Sequence, residues 1–268
     1  MGRRPIGPHP SPQVGIVLAT LNERENLAIL LSEIAAYLPE RPEIVIVDDG
    51  SVDGTREFIR AVASRHPEVH GVFNDVPQTI ARAHEQGLGV AQAPYLICMD
   101  SDLQHPPSAI PRMVEQLKAG YDVVVGSRYL PGGGTGARTP IRGLISRCAG
   151  LLARFALRSI RGVSDPNSGF FGVRRSAMVL CKDPPRGYYT LMFLLARMRN
   201  PRVTEVPYVF RERGNGESKV LSGLAFPFVY AMQLLTARRL EVRSRAAYRK
   251  HSASQISRLT ESESIFRA

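Results

Sequence analysis

Tryptophan is absent from the 268 residues, and there are only three cysteines, Cys98, Cys148 and Cys181. An odd, scattered set of three makes neither a disulfide framework nor a CxxC metal site, so a reducing cytoplasm is expected. The start, MGRRPIGPHPSP, is Pro-rich and has no apolar core, so it does not read as a secretory signal. No Gly-x-Gly-x-x-Gly follows the first apolar run and no Walker A sequence occurs. Both absences count against a dehydrogenase or a P-loop NTPase. His66, His70, His84 and His105 lack zinc spacing. Acidic charge is scarce in one half. Residues 1–120 hold 10 Lys and Arg against 15 Asp and Glu, net −5, and the rest hold 25 against 9, net +16. Such a basic half can meet nucleic acid, an anionic membrane or a phosphorylated substrate. No RRM, zinc-finger or helix-turn-helix signature accompanies it, which argues against nucleic acid.

What is present is an ordinary globular composition, 44% hydrophobic and 22% charged, which excludes a mainly disordered or polytopic membrane chain. Apolar runs at 14–19, 44–47, 69–73, 95–99 and 123–127 read as strands. Helical patterns at 25–38, 53–64 and 78–91, and one starting near Pro106-Pro107, lie between them. Strands alternating with helices of this length predict a doubly wound, mostly parallel α/β sheet. In such sheets ligands bind beyond the carboxyl ends of the strands. Those ends carry Asn22-Glu23, Asp48-Asp49-Gly50-Ser51, Asp100-Ser101-Asp102-Leu103-Gln104 and Gly126-Ser127-Arg128. The Gly-rich stretch 131–136 is expected to be a mobile loop, and the tail beyond about Lys250 to fray.

Asp100 and Asp102 are two apart on an extended segment, so their carboxylates share a side. Two carboxylates with phosphate oxygens can hold Mg²⁺ or Mn²⁺, and Gln104 could add its carbonyl. The alternative is a helix start or solvated acids. Asp49 could take hydrogen bonds from a nucleoside, whereas Asp53 reads as a helix-capping residue. Arg128, Arg142, Arg213 and Lys219 stand out in the basic half, since arginine suits bidentate phosphate binding.

Six stretches then occur in order: Ala19-Thr-Leu-Asn-Glu23, Ile46-Val-Asp-Asp-Gly-Ser-Val-Asp-Gly-Thr55, Met99-Asp-Ser-Asp-Leu-Gln-His-Pro-Pro107, Gly126-Ser-Arg-Tyr129, Asp165-Pro-Asn-Ser-Gly-Phe170 and Arg213-Gly-Asn-Gly-Glu-Ser-Lys219. Together they resemble the polyprenyl-phosphate (dolichol-phosphate) mannose synthases of glycosyltransferase family 2, over about residues 14–220. The resemblance implies a GT-A, Rossmann-like fold and inverting transfer of mannose from GDP-mannose to polyprenyl phosphate. A UDP-sugar such as UDP-glucose is the alternative donor, and a non-catalytic nucleotide-binding protein at the membrane is the rival from another class. The complete Asp100–Gln104 set and Arg213…Lys219 speak against that rival. Carried over by position, Ala19, Leu21, Glu23, Val47 and Asp49 would line the nucleoside pocket. Asp100, Ser101, Asp102 and Gln104 would hold the diphosphate through the metal. Arg128, Arg142 and Ser146 would receive the lipid phosphate, and Arg213 and Lys219 would close over the donor phosphates. Asp102, Arg128 and Arg213 would be the catalytic residues. Two departures stand out: Ala19-Thr-Leu replaces the usual Pro-Thr-Tyr, and Val76-Pro-Gln-Thr-Ile-Ala81 replaces a basic Gly-Leu-Gly stretch.

The expected layout is a flexible tail at 1–12, a catalytic domain at 13–219, a helical region at 220–250 and a polar tail at 251–268. Residues 220–237 carry no charge and are followed by Arg238, Arg239, Arg243, Arg245, Arg249 and Lys250. As a helix the run is about 27 Å long, near the lower spanning limit. Buried, interfacial and spanning readings are all open, and a lipid acceptor favours an interfacial helix on anionic lipid. The expected location is therefore cytoplasmic and peripheral on the membrane.

Overall fold

The computed structural model describes residues 12–136, 140–181, 185–214 and 225–265; the side chains of 140–142, 225–226 and 249–265 lie outside that description. Its one sheet has seven strands in the order β3-β2-β1-β4-β6-β5-β7. Strand β1 (Val14–Thr20) runs parallel to β2 (Glu43–Asp48) on one side and to β4 (Tyr95–Asp100) on the other, and β2 is parallel to β3 (Val69–Phe73). Beyond β4 the pattern changes. β6 (Phe171–Arg174) is antiparallel between β4 and β5 (Val123–Ser127), and β5 is parallel to β7 (Val203–Pro207). The mostly parallel α/β expectation is met, and β6 and β7 are additions to it. β6 has only four residues, and β7 reads Val-Thr-Glu-Val-Pro, so neither carries a clear apolar run.

Side chains alternate across each strand and feed two cores. Ile16, Leu18, Ile46 and Met99 face one layer, with Leu27, Leu30 and Ile34 of α1 (Arg24–Tyr37), Ile59 of α2 (Thr55–Ala63) and Met113 of α4 (Ile110–Lys118). Val17, Val45, Val47 and Cys98 face the other. There they meet Leu88 of α3 (Ile80–Val90), Leu191 to Ala196 of α6 (Thr190–Arg197), Ala153 of α5 (Pro140–Ala156) and Tyr230 of α7 (Ala225–Ile265). A fully buried Leu or Ile contributes about 1.5–3 kcal/mol, so these layers hold the strand ends rigidly. α3 lies hard against β1: a Cβ at Gly87 would come 2.4 Å from Val17 Cγ1.

Two expectations need correcting. The Gly-rich stretch is pinned rather than loose. Gly134 forms a bridge with Val209, and a Cβ on Gly136 (φ +55°) would meet the Phe210 carbonyl oxygen at 1.8 Å. Nor does the helical region end near residue 250: α7 continues as one 41-residue helix to Ile265. No glycine or proline follows Pro227, so nothing in the sequence breaks it. No described helix is long and apolar enough to cross a membrane.

Candidate active site

Register brings the acidic motifs together. Thr20 of β1 stands opposite Asp48 of β2, and Ala19 stands opposite Asp100 of β4, so three strands end level at one edge. The chain leaves β1 for β2 and β3 on one side and for β4 on the other, which opens a crevice at this edge.

The loops after β1 and β2 are zipped together. Asn22 N–H donates to Ser51 Oγ and Val52 N–H donates to Asn22 Oδ1, each at 2.8 Å; Glu23 N–H donates to Thr55 Oγ1 at 3.1 Å. Asp53 accepts from Thr55 N–H at 3.0 Å and from Thr55 Oγ1 at 2.6 Å, one residue before the Gly54 that precedes α2. Although partial burial opposes its charge, these donors and Arg24 N–H lower its pKa. The N-cap of α2 is thus Gly54 and not Asp53 as read from the sequence; Asp53 binds the first helical residue from one position earlier.

Asp49 is buried, and its two oxygens accept the Gln78 N–H at 2.9 and 3.0 Å, while Oδ1 also accepts from Asn74 Nδ2 at 3.0 Å. It thereby ties the 74–79 loop over the crevice. The half-buried Ala19 accepts Ser101 Oγ through its carbonyl at 2.9 Å, and Leu21, two residues on, is half-buried. The Val47 side chain is different: it is fully buried in the core against α3, so it packs the floor and does not line an open pocket.

Segment 207–214 runs along the loop that follows β4. Arg211 N–H donates to the Gln104 carbonyl at 3.0 Å and Gly214 N–H to the Asp102 carbonyl at 3.2 Å, while Gln104 Nε2 lies 3.5 Å from the Arg211 carbonyl. This course delivers Arg213, which bridges Asp102 Oδ2 (3.0 Å) and Glu23 Oε1. Asn26 Nδ2 also donates to Glu23, at 2.6 Å. Burial raises the Asp102 carboxyl above the usual carboxylate value, against the lowering by Gln104 N–H and Arg213.

Asp100 and Asp102 offer oxygen donors, and Asp100 is a third exposed, at 32%. No three His, Cys, Asp or Glu side chains among the described residues gather as a metal group. A hard cation here would therefore complete its shell with diphosphate and water oxygens. Gly169 leaves the Asp100 carboxylate uncrowded: a Cβ there would lie 3.2 Å from Asp100 Oδ2. The donor set fits Mg²⁺ or Mn²⁺.

Arg128 sits apart from this cluster, in a buried bidentate pair with Asp165. Nε–Oδ2 and Nη2–Oδ1 are both 2.7 Å, the Arg128 N–H adds a bond at 3.1 Å, and the side chains are 4% and 1% exposed. Burial opposes the charge, yet Asp165 outweighs it and raises the Arg128 pKa. Sequence reasoning gave Arg128 a phosphate and Asp165 no role; the polar stretch Ser164–Ser168 around Asp165 carries no signal of its partner. Ser146 accepts Tyr129 Oη at 2.9 Å, and the Tyr129 ring lies under both Arg128 and Arg147. The Arg142 side chain and all of Lys219 fall outside the described residues.

Comparison with known proteins identifies the family. The family model described as Glycosyl transferase family 2 matches residues 15–179. A dolichol-phosphate mannosyltransferase of Pyrococcus furiosus is 37% identical over 81% of this chain, which spans 62% of that relative's length. The Saccharomyces cerevisiae dolichol-phosphate mannosyltransferase is 35% identical over 80% of this chain and 82% of its own. The polyprenol monophosphomannose synthase of Mycolicibacterium smegmatis is 32% identical over 82% and 85%. Among solved structures, glucosyl-3-phosphoglycerate synthase from Mycobacterium tuberculosis superposes with a TM-score of 0.59 at 19% identity, covering 85% of this chain and 79% of that one. That last likeness speaks to the GT-A-type fold alone. With the family matched over most of the chain and relatives above 30% identity covered for most of their length, this chain belongs to glycosyltransferase family 2 and is a glycosyltransferase.

Proposed function

We propose that this enzyme transfers mannose from GDP-mannose to a polyprenyl (dolichyl) phosphate, with inversion and with a divalent metal. The observation that carries the reading is the combination of relatives named for mannosyl transfer to dolichol or polyprenol phosphate with an acidic strand edge and a basic second half of the chain. Ala19, Leu21, Glu23 and Asp49 would bound the nucleoside, and Asp100, Ser101, Asp102 and Gln104 the diphosphate. Bound Mg²⁺ or Mn²⁺ would neutralise charge on the leaving diphosphate. Arg213 brings its guanidinium to the same place, and Lys219 would join it. The acceptor phosphate is already ionised near neutral pH, so its oxygen can attack the anomeric carbon without a strong general base. One C–O bond forms, the C–O bond to GDP breaks on the opposite face, and inversion follows. Arg142 and Ser146 would steer the acceptor, with Arg128 shaping that wall through Asp165 and Tyr129.

The lipid side of this reading draws on two neighbouring helices. Leu151, Leu152 and Phe155 of α5 and Phe228, Met232 and Leu235 of α7 are exposed, and arginines follow on α7. An apolar face beside cations suits a peripheral position on an anionic membrane surface. The test is a donor screen: purified protein, polyprenyl phosphate, and radiolabelled GDP- and UDP-sugars, scoring label that becomes extractable into organic solvent. Label from GDP-mannose is the expected result. Label only from UDP-glucose replaces the donor, and none from any nucleotide sugar refutes the enzyme reading of the lipid.

A further inference from the structure

Beside Asp100 lies the buried side chain of His105. The β4–β6 ladder ends at the pair Cys98–Phe171, so the Asp100 N–H lies beyond the last paired residue. His105 takes the place of a ladder carbonyl: its Nδ1 accepts the Asp100 N–H at 3.1 Å. Accepting there makes Nδ1 the unprotonated nitrogen of the ring. The 3.9 Å approach of Nδ1 to Asp100 Oδ2 is therefore proximity and not an ion pair.

The ring itself has little freedom. His105 is buried, stacks on Phe170 (centroids 5.2 Å apart, planes 20°), and meets Tyr208 and Phe210 edge-on at 5.8 Å. Gly169 completes the wall, since a Cβ there would lie 3.3 Å from His105 Cε1 as well as 3.2 Å from Asp100 Oδ2. Three aromatics thus fix the ring, the ring fixes the backbone of Asp100, and the bare Gly169 leaves room for its carboxylate.

We propose that His105 is a positioning residue for Asp100 and sets that carboxylate for the divalent cation. The proposal rests on the metal reading above. Hydrogen-bonding partners of this kind typically change metal affinity 10–100-fold when removed. Two variants separate positioning from packing. His105→Phe keeps the stacked ring and loses the acceptor; His105→Asn loses the ring and keeps an acceptor oxygen near the Nδ1 position. The readout is Mn²⁺ affinity by EPR titration with GDP, repeated with UDP, alongside thermal melts.

The expected result is that the Phe variant binds Mn²⁺ about 10–100-fold more weakly, while the Asn variant stays near wild type. If packing alone matters, the order reverses, and an Asn variant weaker than the Phe variant overturns the proposal. Equal Mn²⁺ affinity in wild type and His105→Phe overturns it as well, with the metal reading intact. Wild type that binds no Mn²⁺ with either nucleotide overturns the metal reading and this role with it. Should His105→Phe not fold, the Asn variant decides: near-wild-type Mn²⁺ affinity supports the role and its loss refutes it.

Discussion

Replacing Arg128 with Met should damage stability before it damages substrate binding. The side chain lies in a pair with Asp165 that is almost wholly out of water, at 4% and 1% exposure. Two charge-assisted bonds of 2.7 Å would go, leaving Asp165 with the 3.1 Å backbone bond from residue 128. Removing one partner of a buried ion pair typically costs about 3–5 kcal/mol, because the other charge stays buried and uncompensated. At about 2–4 °C per kcal/mol for a domain of this size, Tm should fall by roughly 6–20 °C. Arg128→Lys should recover only part of this, since an ammonium cannot make the two-pronged contact. The double variant Arg128→Met/Asp165→Leu should melt above Arg128→Met alone, because no bare charge remains. Calorimetry of the four proteins, with denaturant titrations for the free energies, gives the coupling directly. If Arg128→Met melts within about 2 °C of wild type, a loss under about 1 kcal/mol, while its apparent affinity for lipid phosphate collapses, Arg128 is a working acceptor ligand and the buried-pair reasoning is wrong.

Three other outcomes are expected. Asp102→Ala should abolish transfer with the melt preserved. Excess chelator should do the same to wild type, with Mg²⁺ or Mn²⁺ restoring it; full activity in chelator refutes the metal role. On α7, Arg238 and Arg245 pair with Glu241, whereas Arg239 and Arg243 have no ion pair among the described residues. Neutralising Arg239 and Arg243 should weaken binding to anionic vesicles by about 2 kcal/mol, roughly 30-fold at low salt, and sedimentation that shows no change removes these residues from the membrane face. His84 is fully buried, and burial lowers its pKa from 6.5 to about 4. The unfolded chain therefore takes up a proton that the fold refuses. Stability should be complete above pH 6.5 and fall as pH drops from about 6.5 to about 4, by about 3 kcal/mol in all. A His84→Gln variant should lack that slope in denaturant titrations across this range, and an unchanged slope assigns it to another group.

The local signals were strong wherever an apolar run stopped at a polar cluster. Five strands, four of the helices between them and the acids at 48–49 and 100–102 were legible because a parallel sheet buries both faces of its strands and leaves only their ends polar. Adjacency of motifs was legible as well, but only as order along the chain. Tertiary structure decided which charges meet. Arg213 reaches Asp102 because segment 207–214 runs along the loop after β4, a contact spanning 111 residues, and Arg128 is matched to Asp165 across 37. No periodicity encodes such pairings, since each depends on where two distant loops leave the sheet. The same holds for Val47, which the family resemblance placed in the pocket wall although strand alternation turns its side chain into the core. His105 shows the division most plainly: it sits in a visible motif, yet its tie to the Asp100 N–H exists only because β6 stops pairing at Phe171 and three aromatics from two segments hold the ring.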